Sequence, residues 1–510
     1  MAAQKGLLGV DIGSSNMKVI YLDGSSGQVL ASASKELVTH YPRANWSEQD
    51  PEDWVDALQS CVRDIFDRQG HDRAHLAAVC ITAATHTAVL LDRDWNILRP
   101  AILWTDRRSA QECDDLNAAH GEDIFRIAFH KPSPTWTMPQ LLWVRKHEPE
   151  VFERTEYILF AKDFLRYKLT GKWETDVIDA QGALLLDYQT LQWSGALCGY
   201  IGLDPRKLPP IRDTLEVSGP ITAKGAELFN LPAGVPVVMG GSDTALEDYG
   251  SGAIAPGQGI FKIATAGNAN IMVSEPHRHP ALFNYKQVIP GLWYIAAGTL
   301  SGAQVHKWLR DQFFPDLTAG DDKHNAFMTI DRLAADIPPG SDGLLFHPYL
   351  MGEKTPYMDP FLRGDYLGIT IRHTRAHCVR ALYEGISFSL LDCMNVYKPM
   401  GLEFTDFRLI GGGAKSALWR QILCDIVGKE ILVPENTEAA FGAALVAGVG
   451  AGVFPDAAAA VEQCVRVSSR HEPDLHRHER YQKLFTLYLE SQKRLTEINH
   501  KLHAFETGAY

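Results

Sequence analysis

This chain of 510 residues contains no CxxC pair; its eight cysteines stand apart at positions 61, 80, 113, 198, 378, 393, 424 and 464. That scatter excludes a disulfide framework and predicts reduced core thiols in a cytoplasmic protein. Positive charge is short too: 49 Lys and Arg face 62 Asp and Glu, a formal charge of −13. No basic stripe is available to neutralise a phosphate backbone, which argues against nucleic acid or an anionic membrane as partner. An anionic ligand must therefore be held by local groups. The longest weakly polar run, residues 439–454, is glycine-rich and shorter than the roughly 18 to 20 residues of a membrane span. The opening "MAAQKGLLGVDIG" enters a strand pattern within a few residues, so no signal peptide is expected. What remains, 45% hydrophobic and 22% charged residues, is the composition of a soluble globular protein, long enough for two domains or three.

Residues 7–37 read as strand, turn, strand, turn, strand: "LLGVDI", "GSSN", "MKVIYLD", "GSSG", "QVLASASKEL". A helix is predicted over "QDPEDWVDALQSCVRDIFDRQ", with Asp50 as N-cap, Pro51 at its first position, and Trp54, Leu58, Cys61, Val62 and Ile65 on one face. "HLAAVCITA" then reads as a buried strand. The same order returns after residue 255, in "GIFKIATAGNANIMVSE", "LWYIAAGTL" and "SGAQVHKWLRDQFF". A long helix from about His377, the strand "DFRLI", the helix "ALWRQILCDIVG", the strand "EILVPE", a glycine-rich helix from Ala439 and an amphipathic tail helix follow. The repeat predicts two α/β domains of similar plan, residues 1–250 and 251–510, with ligand between them at strand ends.

Six stretches can carry chemistry. "DIGSSNMK" offers Asp11, Gly13, Ser14, Ser15 and Lys18 at a hairpin turn, where backbone N–H groups can face a phosphate and the carboxylate can hold Mg²⁺; a plain β-turn is the alternative. The matching turn "ATAGN" makes a paired phosphate clamp conceivable. "LIGGGAKSALWRQ" places three glycines and a serine between strand and helix, which permits close approach of a nucleotide, although the Walker pattern GxxxxGK[ST] is absent. "AATHTAV" and "ILWTDRR" supply Thr85, His86, Thr87, Trp104, Asp106 and Arg107 after apolar strands, a set that suits a polyhydroxylated ligand or, as plainly, a core histidine with a structural Arg–Asp pair. In "GGSDTALEDYG", Asp243 follows the apolar "VPVVM" and is either a helix cap or a general base for an attacking alcohol. Spacing alone does not separate the two.

Taken together these motifs resemble the FGGY family of carbohydrate kinases, most closely its xylulokinase-like branch. The resemblance runs over nearly the whole chain, through "GVDIGSSNMK", "NWSEQDPEDW", "RPAILWTDRR", "LLWVRKHEPEVF", "GGSD", "FHPYLMGEKTPYMDP", "LIGGGAKSALWRQILCDIVG" and "AAFGAALVAG". It implies an actin- and hexokinase-type ATPase fold of two ribonuclease-H-like domains with a cleft, the sugar held by the N-terminal domain and ATP by the C-terminal one. By motif, Asp243 matches the catalytic aspartate, with Asp11 the acid near Mg²⁺ and the phosphates and Asp243 close to the same ion. Gly13, Ser14, Ser15 and Lys18 fall in the first phosphate loop, Thr265 in the second, and Gly302, Gly412, Gly413 and Ala414 in the nucleotide site. Thr85, His86, Trp104, Asp106 and Thr244 fall along the sugar pocket.

The resemblance also implies the partners: a small sugar and ATP with Mg²⁺, no nucleic acid, no membrane, and a second copy of the chain, since dimers are common among similar proteins. The expected activity is transfer of the γ-phosphate of ATP to a ketopentose, D-xylulose first. Ribulose, another ketose or a polyol such as glycerol, a weakened sugar- or nucleotide-binding regulator, and a sugar-independent ATPase of the same fold stay open. Four departures from the family pattern bear on this: "AATHT" keeps His86 but changes its neighbours, Thr244 replaces an asparagine, Ala264-Thr265-Ala266 replaces Gly-Thr-Ser, and Gln140 replaces a lysine.

Overall fold

The computed structural model describes residues 5–318 and 323–508. By contacts the chain divides into two units. The first comprises Met1–Ile254 with two returning segments, Asn284–Trp293 and Asn436–Val465; the second holds Ala255–Phe283, Tyr294–Glu435 and Arg466–Tyr510.

The first unit is built on β1 (Gly6–Ile12), β2 (Asn16–Asp23), β3 (Val29–Glu36), β4 (Leu76–Ala83), β5 (Val217–Pro220) and β6 (Pro236–Val238), in the order β5-β6-β4-β1-β2-β3. β1, β4 and β6 are parallel, and β2, β3 and β5 run against their neighbours. In this register Asp11 pairs with Lys18 across the first hairpin and with Thr82 on β4. The helix Pro51–Arg63 starts as its sequence dictates: the Asp50 side chain accepts from the Glu52 N–H, Pro51 occupies the first turn, and Trp54, Leu58, Cys61 and Val62 are buried.

The second unit carries β7 (Gln258–Ile263), β8 (Gly267–Val273), β9 (Trp293–Thr299), β10 (Asp406–Ile410), β11 (Ile431–Pro434) and β12 (Val467–His471), in the order β9-β8-β7-β10-β11-β12. β7, β10 and β11 are parallel, with β8 and β12 antiparallel to their neighbours. Read from β3, the first sheet has the same plan: an antiparallel hairpin, a parallel centre and an antiparallel edge. The helices Arg375–Asn395, Ala417–Val427 and Leu475–Glu506 complete the elements expected from the sequence.

The helix Ala439–Gly450, which a division at residue 250 assigns to the second half, belongs to the first unit. Its glycines explain why. A Cβ on Gly442 would lie 1.9 Å from the Leu246 carbonyl oxygen, and one on Gly9 would lie 1.9 Å from that of Ala440. Only glycine lets this helix press its backbone against β1 and the helix Asp243–Gly250. Among the described residues no helix is long and apolar enough to cross a membrane.

Candidate active site

Three parallel strands end together. The chain leaves β6 through Met239 and Gly240, and Ser242 bridges to Ala83 at the end of β4, so Asp243 arrives beside the ends of β4 and β1. The glycines make this path possible. Gly240 has φ +75°, and a Cβ there would lie 2.6 Å from the Ile81 carbonyl oxygen; the Gly241 carbonyl accepts from Thr82 Oγ1 at 2.7 Å. The cap of the following helix is Ser242, whose Oγ faces the Ala245 N–H at 3.4 Å. Asp243 takes the first helical position, half-buried, and its Oδ1 accepts from the Thr244 N–H at 2.7 Å. Capping is thus assigned to Ser242, and Asp243 stands at the first helical position beside the strand ends.

Asp11 faces the same acids. Burial first, then Asp243 and Glu247, push its carboxyl well above the usual range; Lys18 pulls it down, and Glu438 adds a smaller upward push. Lys18 Nζ meets Glu438 Oε2 at 2.5 Å, Glu438 being the residue that begins the helix Ala439–Gly450. Asp11 Oδ1 is shielded from solvent and has no hydrogen-bond partner. An orphaned carboxylate oxygen among further carboxylates fits a hard divalent cation, which would supply the positive charge that the cluster lacks. The turn itself is anchored: Gly13 N–H donates to the Asn16 carbonyl at 3.1 Å, and the Ser14 carbonyl accepts from Gln49 Nε2 at 2.8 Å. Ser15 is exposed.

The residues expected along the sugar divide into two groups. His86 is buried, adopts φ +55°, and is held neutral because burial lowers its pKa to about 3. Its Nδ1 has no partner, and its ring packs 5.1 Å from that of Trp136. Thr85 and Thr244 are half-buried near the same strand ends. Trp104 is 39% exposed and donates its indole N–H to Ser14 Oγ at 2.9 Å, tying the aromatic face to the turn between β1 and β2.

Asp106, expected against the sugar, is instead fully buried and saturated. Its oxygens accept from the Ser47 N–H at 2.6 Å, the Arg108 N–H at 2.8 Å, Arg108 Nε at 3.0 Å and Arg108 Nη2 at 2.8 Å. Four donors on two oxygens leave nothing for a ligand, so Asp106 pins the loop that presents Trp104. Gln140 is structural as well, its Nε2 donating to the Leu103 and Pro134 carbonyls at 3.2 and 3.1 Å.

Sequence reasoning missed a third group. Tyr285, on a returning segment of the first unit, is buried, and Asp243 and Asp179 both add to its raised pKa. Trp136 and His130 stack at 4.8 Å, and Gln181 Oε1 accepts from the Lys286 N–H at 2.8 Å. Behind Asp179 lies a fully buried ion network. Lys162 Nζ meets Asp163 and Asp176 at 2.5 Å and Asp179 at 3.1 Å, and Arg166 Nη1 meets Asp163 at 2.7 Å and the Met239 carbonyl at 3.2 Å. No motif announced these residues; the apolar pattern around "FAKDFLRYKL" with four charges inside it was the available signal.

In the second unit Thr265 is exposed at the turn between β7 and β8. Gly302 lets the helix Ala303–Phe313 start against that turn: a Cβ there would lie 2.5 Å from the Ala264 carbonyl oxygen, which the Ala303 N–H reaches at 2.6 Å. Gly411, with φ +86°, turns the chain after β10. Gly412, Gly413 and Ala414 follow in a short 3₁₀ turn, and Ser416 caps the next helix. A cavity of about 750 Å³ opens here, lined by His306, Phe327, Met328, Gly412, Gly413 and Ser416. Flat rings and a glycine edge suit a heterocycle with polar groups at its rim.

Comparison with known proteins places these features. Residues 7–250 match the N-terminal domain and residues 265–451 the C-terminal domain of the FGGY family of carbohydrate kinases. The chain is 31% identical over 506 residues to xylulose kinase of Bacillus subtilis, covering 98% of this chain and 99% of that one. It is 25% identical to the gluconokinase of the same organism over 98% of each chain. Among solved structures, xylulose kinase from Rhodospirillum rubrum superposes with a TM-score of 0.90 at 27% identity, covering 97% of this chain and all of that one. The fold is thus the two-domain actin- and hexokinase-type ATPase fold, and with both domains matched in order and two strand-end sites built as above, the chain belongs to the FGGY family of carbohydrate kinases.

Proposed function

We propose that the chain is an ATP-dependent kinase of a ketopentose, with D-xylulose the substrate to which the names of its relatives point. The observation that carries this reading is Asp243, a half-buried carboxylate at a strand end whose capping role is filled by Ser242. The terminal hydroxyl of the sugar attacks the γ-phosphorus of ATP. A new O–P bond forms, the bond to the β-phosphate bridge breaks, ADP leaves, and the hydroxyl proton passes to Asp243. His86 stays neutral and meets the sugar without adding charge, and Trp104 offers it an apolar face.

Asp11, with Asp243, would hold Mg²⁺, which when bound offsets the repulsion between the carboxylates and the triphosphate. Thr265, Gly302 and the Gly412–Ala414 turn would receive the nucleotide, the adenine against Phe327 and Met328. Eight buried cysteines, none of them in a disulfide, support a cytoplasmic setting.

The test follows ADP release with ATP and Mg²⁺ against ketoses, aldoses, polyols and gluconate, the last because a gluconokinase is among the relatives. Turnover should require a ketose and fall about 10²- to 10⁴-fold in Asp243→Asn with ATP binding retained, the range expected for losing a general base. ADP release without sugar, full activity in the variant, or binding without turnover would each overturn the reading.

A further inference from the structure

The first unit holds unpartnered polar groups that neither capping nor the transfer chemistry uses. Gln181 is fully buried, its Oε1 fixed by the Lys286 N–H at 2.8 Å, and its Nε2 has no partner. Asp179 is 1% exposed, with Oδ2 on Lys162 at 3.1 Å and Oδ1 unpartnered. Both lie on the short helix Val177–Gly182, and its last residue touches His86, where a Cβ on Gly182 would stand 2.5 Å from the His86 ring. His86 Nδ1 is itself unpartnered. Buried groups left without partners are costly, and in a native protein several in one place ask for an explanation.

Position supplies one. Gly241, two residues before Asp243, packs on this segment, where a Cβ would stand 2.9 Å from Ile178 Cδ1 and 3.7 Å from Asp176 Oδ1, and the Lys286 N–H on Gln181 Oε1 brings the neighbouring Tyr285 to the same place. Trp136 lies against His86 at 5.1 Å and 6.5 Å from Tyr285, so rings flank the path from one end to the other. A sugar with one hydroxyl at Asp243 would extend past Tyr285 toward Gln181. There it meets a fixed amide donor and a carboxyl oxygen whose partner oxygen is already tied down.

We infer that Gln181 and Asp179 form the specificity subsite for the end of the sugar remote from the transferred phosphate, Gln181 Nε2 donating to the ketose carbonyl oxygen and Asp179 Oδ1 bonding the neighbouring hydroxyl. The inference rests on the reading of this site as a ketose kinase, and it names which residues distinguish a ketose from a polyol. Lys162 is then a positioning residue: it ties Asp179 to Asp163 and Asp176 and so fixes the direction in which Oδ1 points.

The experiment compares D-xylulose, 1-deoxy-D-xylulose, which lacks the end hydroxyl, and xylitol, which lacks the carbonyl. Binding is read by calorimetry without nucleotide and turnover by ADP release, for the native protein, Gln181→Leu, Gln181→Glu and Asp179→Asn. Gln181→Glu keeps an acceptor for the Lys286 N–H while removing the donor, so it serves if the leucine variant melts early. The native protein should favour D-xylulose over both analogues by at least about tenfold. Gln181→Leu and Gln181→Glu should weaken D-xylulose by about tenfold or more while changing xylitol less, and Asp179→Asn should act chiefly on the contrast with the 1-deoxy sugar. Equal losses for all three ligands, no loss, or a native protein that binds none of them overturns the subsite. Ketose turnover without the coupling would leave the kinase reading standing and this inference false; coupling in binding without ADP release would do the reverse.

Discussion

The two hairpins that open the two sheets occupy the same place in the same plan and carry opposite chemistry. On β1 and β2 the residues paired one step back from the turn are Asp11 and Lys18; on β7 and β8 they are Lys262 and Asn268. The first turn is ringed by Asp243, Glu247 and Glu438, all of which raise the Asp11 carboxyl. The second presents an exposed Thr265 between two alanines, and its shape is set from outside, by the Ala303 N–H on the Ala264 carbonyl and by the space kept open at Gly302. A repeated fold therefore does not mean repeated function. Carboxylates are concentrated at the first hairpin; on the proposed reading they serve cation and proton, and at the second hairpin the backbone is the working surface.

The largest test of that contrast is Asp11→Asn. If charge at the first hairpin does the work, turnover should fall about 100- to 1000-fold, comparable to losing a preorganised electrostatic partner of the transition state, while nucleotide affinity in the absence of Mg²⁺ is retained. A variant of near-native turnover would break the comparison. Gly302→Ala tests the other side, because no charge changes and only shape does. Its Cβ would meet rigid backbone at 2.5 Å, an overpacking that costs about 1 to 3 kcal/mol. ADP affinity should drop about tenfold, read by calorimetry, with sugar binding unaltered. Thr265→Val removes one hydroxyl and leaves the backbone in place, so a loss of only a few-fold in kcat/KM is expected, on the scale of about 1 kcal/mol for a single hydrogen bond. A loss as large as that of Asp11→Asn would mean that the hydroxyl, not the backbone, is the working part of the second turn.

How much of this was legible beforehand varies with the distance over which each feature is set. The hairpins, the helix capped by Asp50 and the turns at Gly411 and Ser416 are written within a few residues, and periodicity and turn chemistry reveal them. The roles of Trp104 and Asp106 are not, because they depend on what comes to meet them: Ser14 across 90 residues, and a saturated bond with Arg108 inside a buried loop. Asp179, Gln181 and Tyr285 stand furthest from legibility. Their chemistry depends on a segment that returns to the first unit after residue 283 and on a lysine buried among three carboxylates. Nothing local in "VIDAQG" or "NYKQ" announces either.

The smallest effect is the one that separates working charge from stabilising charge. The carboxyl of Asp11 titrates well above its ordinary value in the folded protein, so the folded state favours its proton more than the unfolded chain does. Stability from that preference is complete below the ordinary carboxylate range and is lost as pH rises through the raised value. Above it, the ionised Asp11 is a cost that the ligand-free fold carries. Asp11→Asn should then melt higher than the native protein at pH 8, by about 2 °C for each kcal/mol relieved, and the gap should close as pH falls toward 4. Mg²⁺ should raise the melting temperature of the native protein more than that of the variant, since the same carboxylate that destabilises the ligand-free fold is the one proposed to hold the cation. A variant less stable at pH 8 would place Asp11 among the structural residues of the hairpin and remove the ground for calling the first turn the charged partner of the pair.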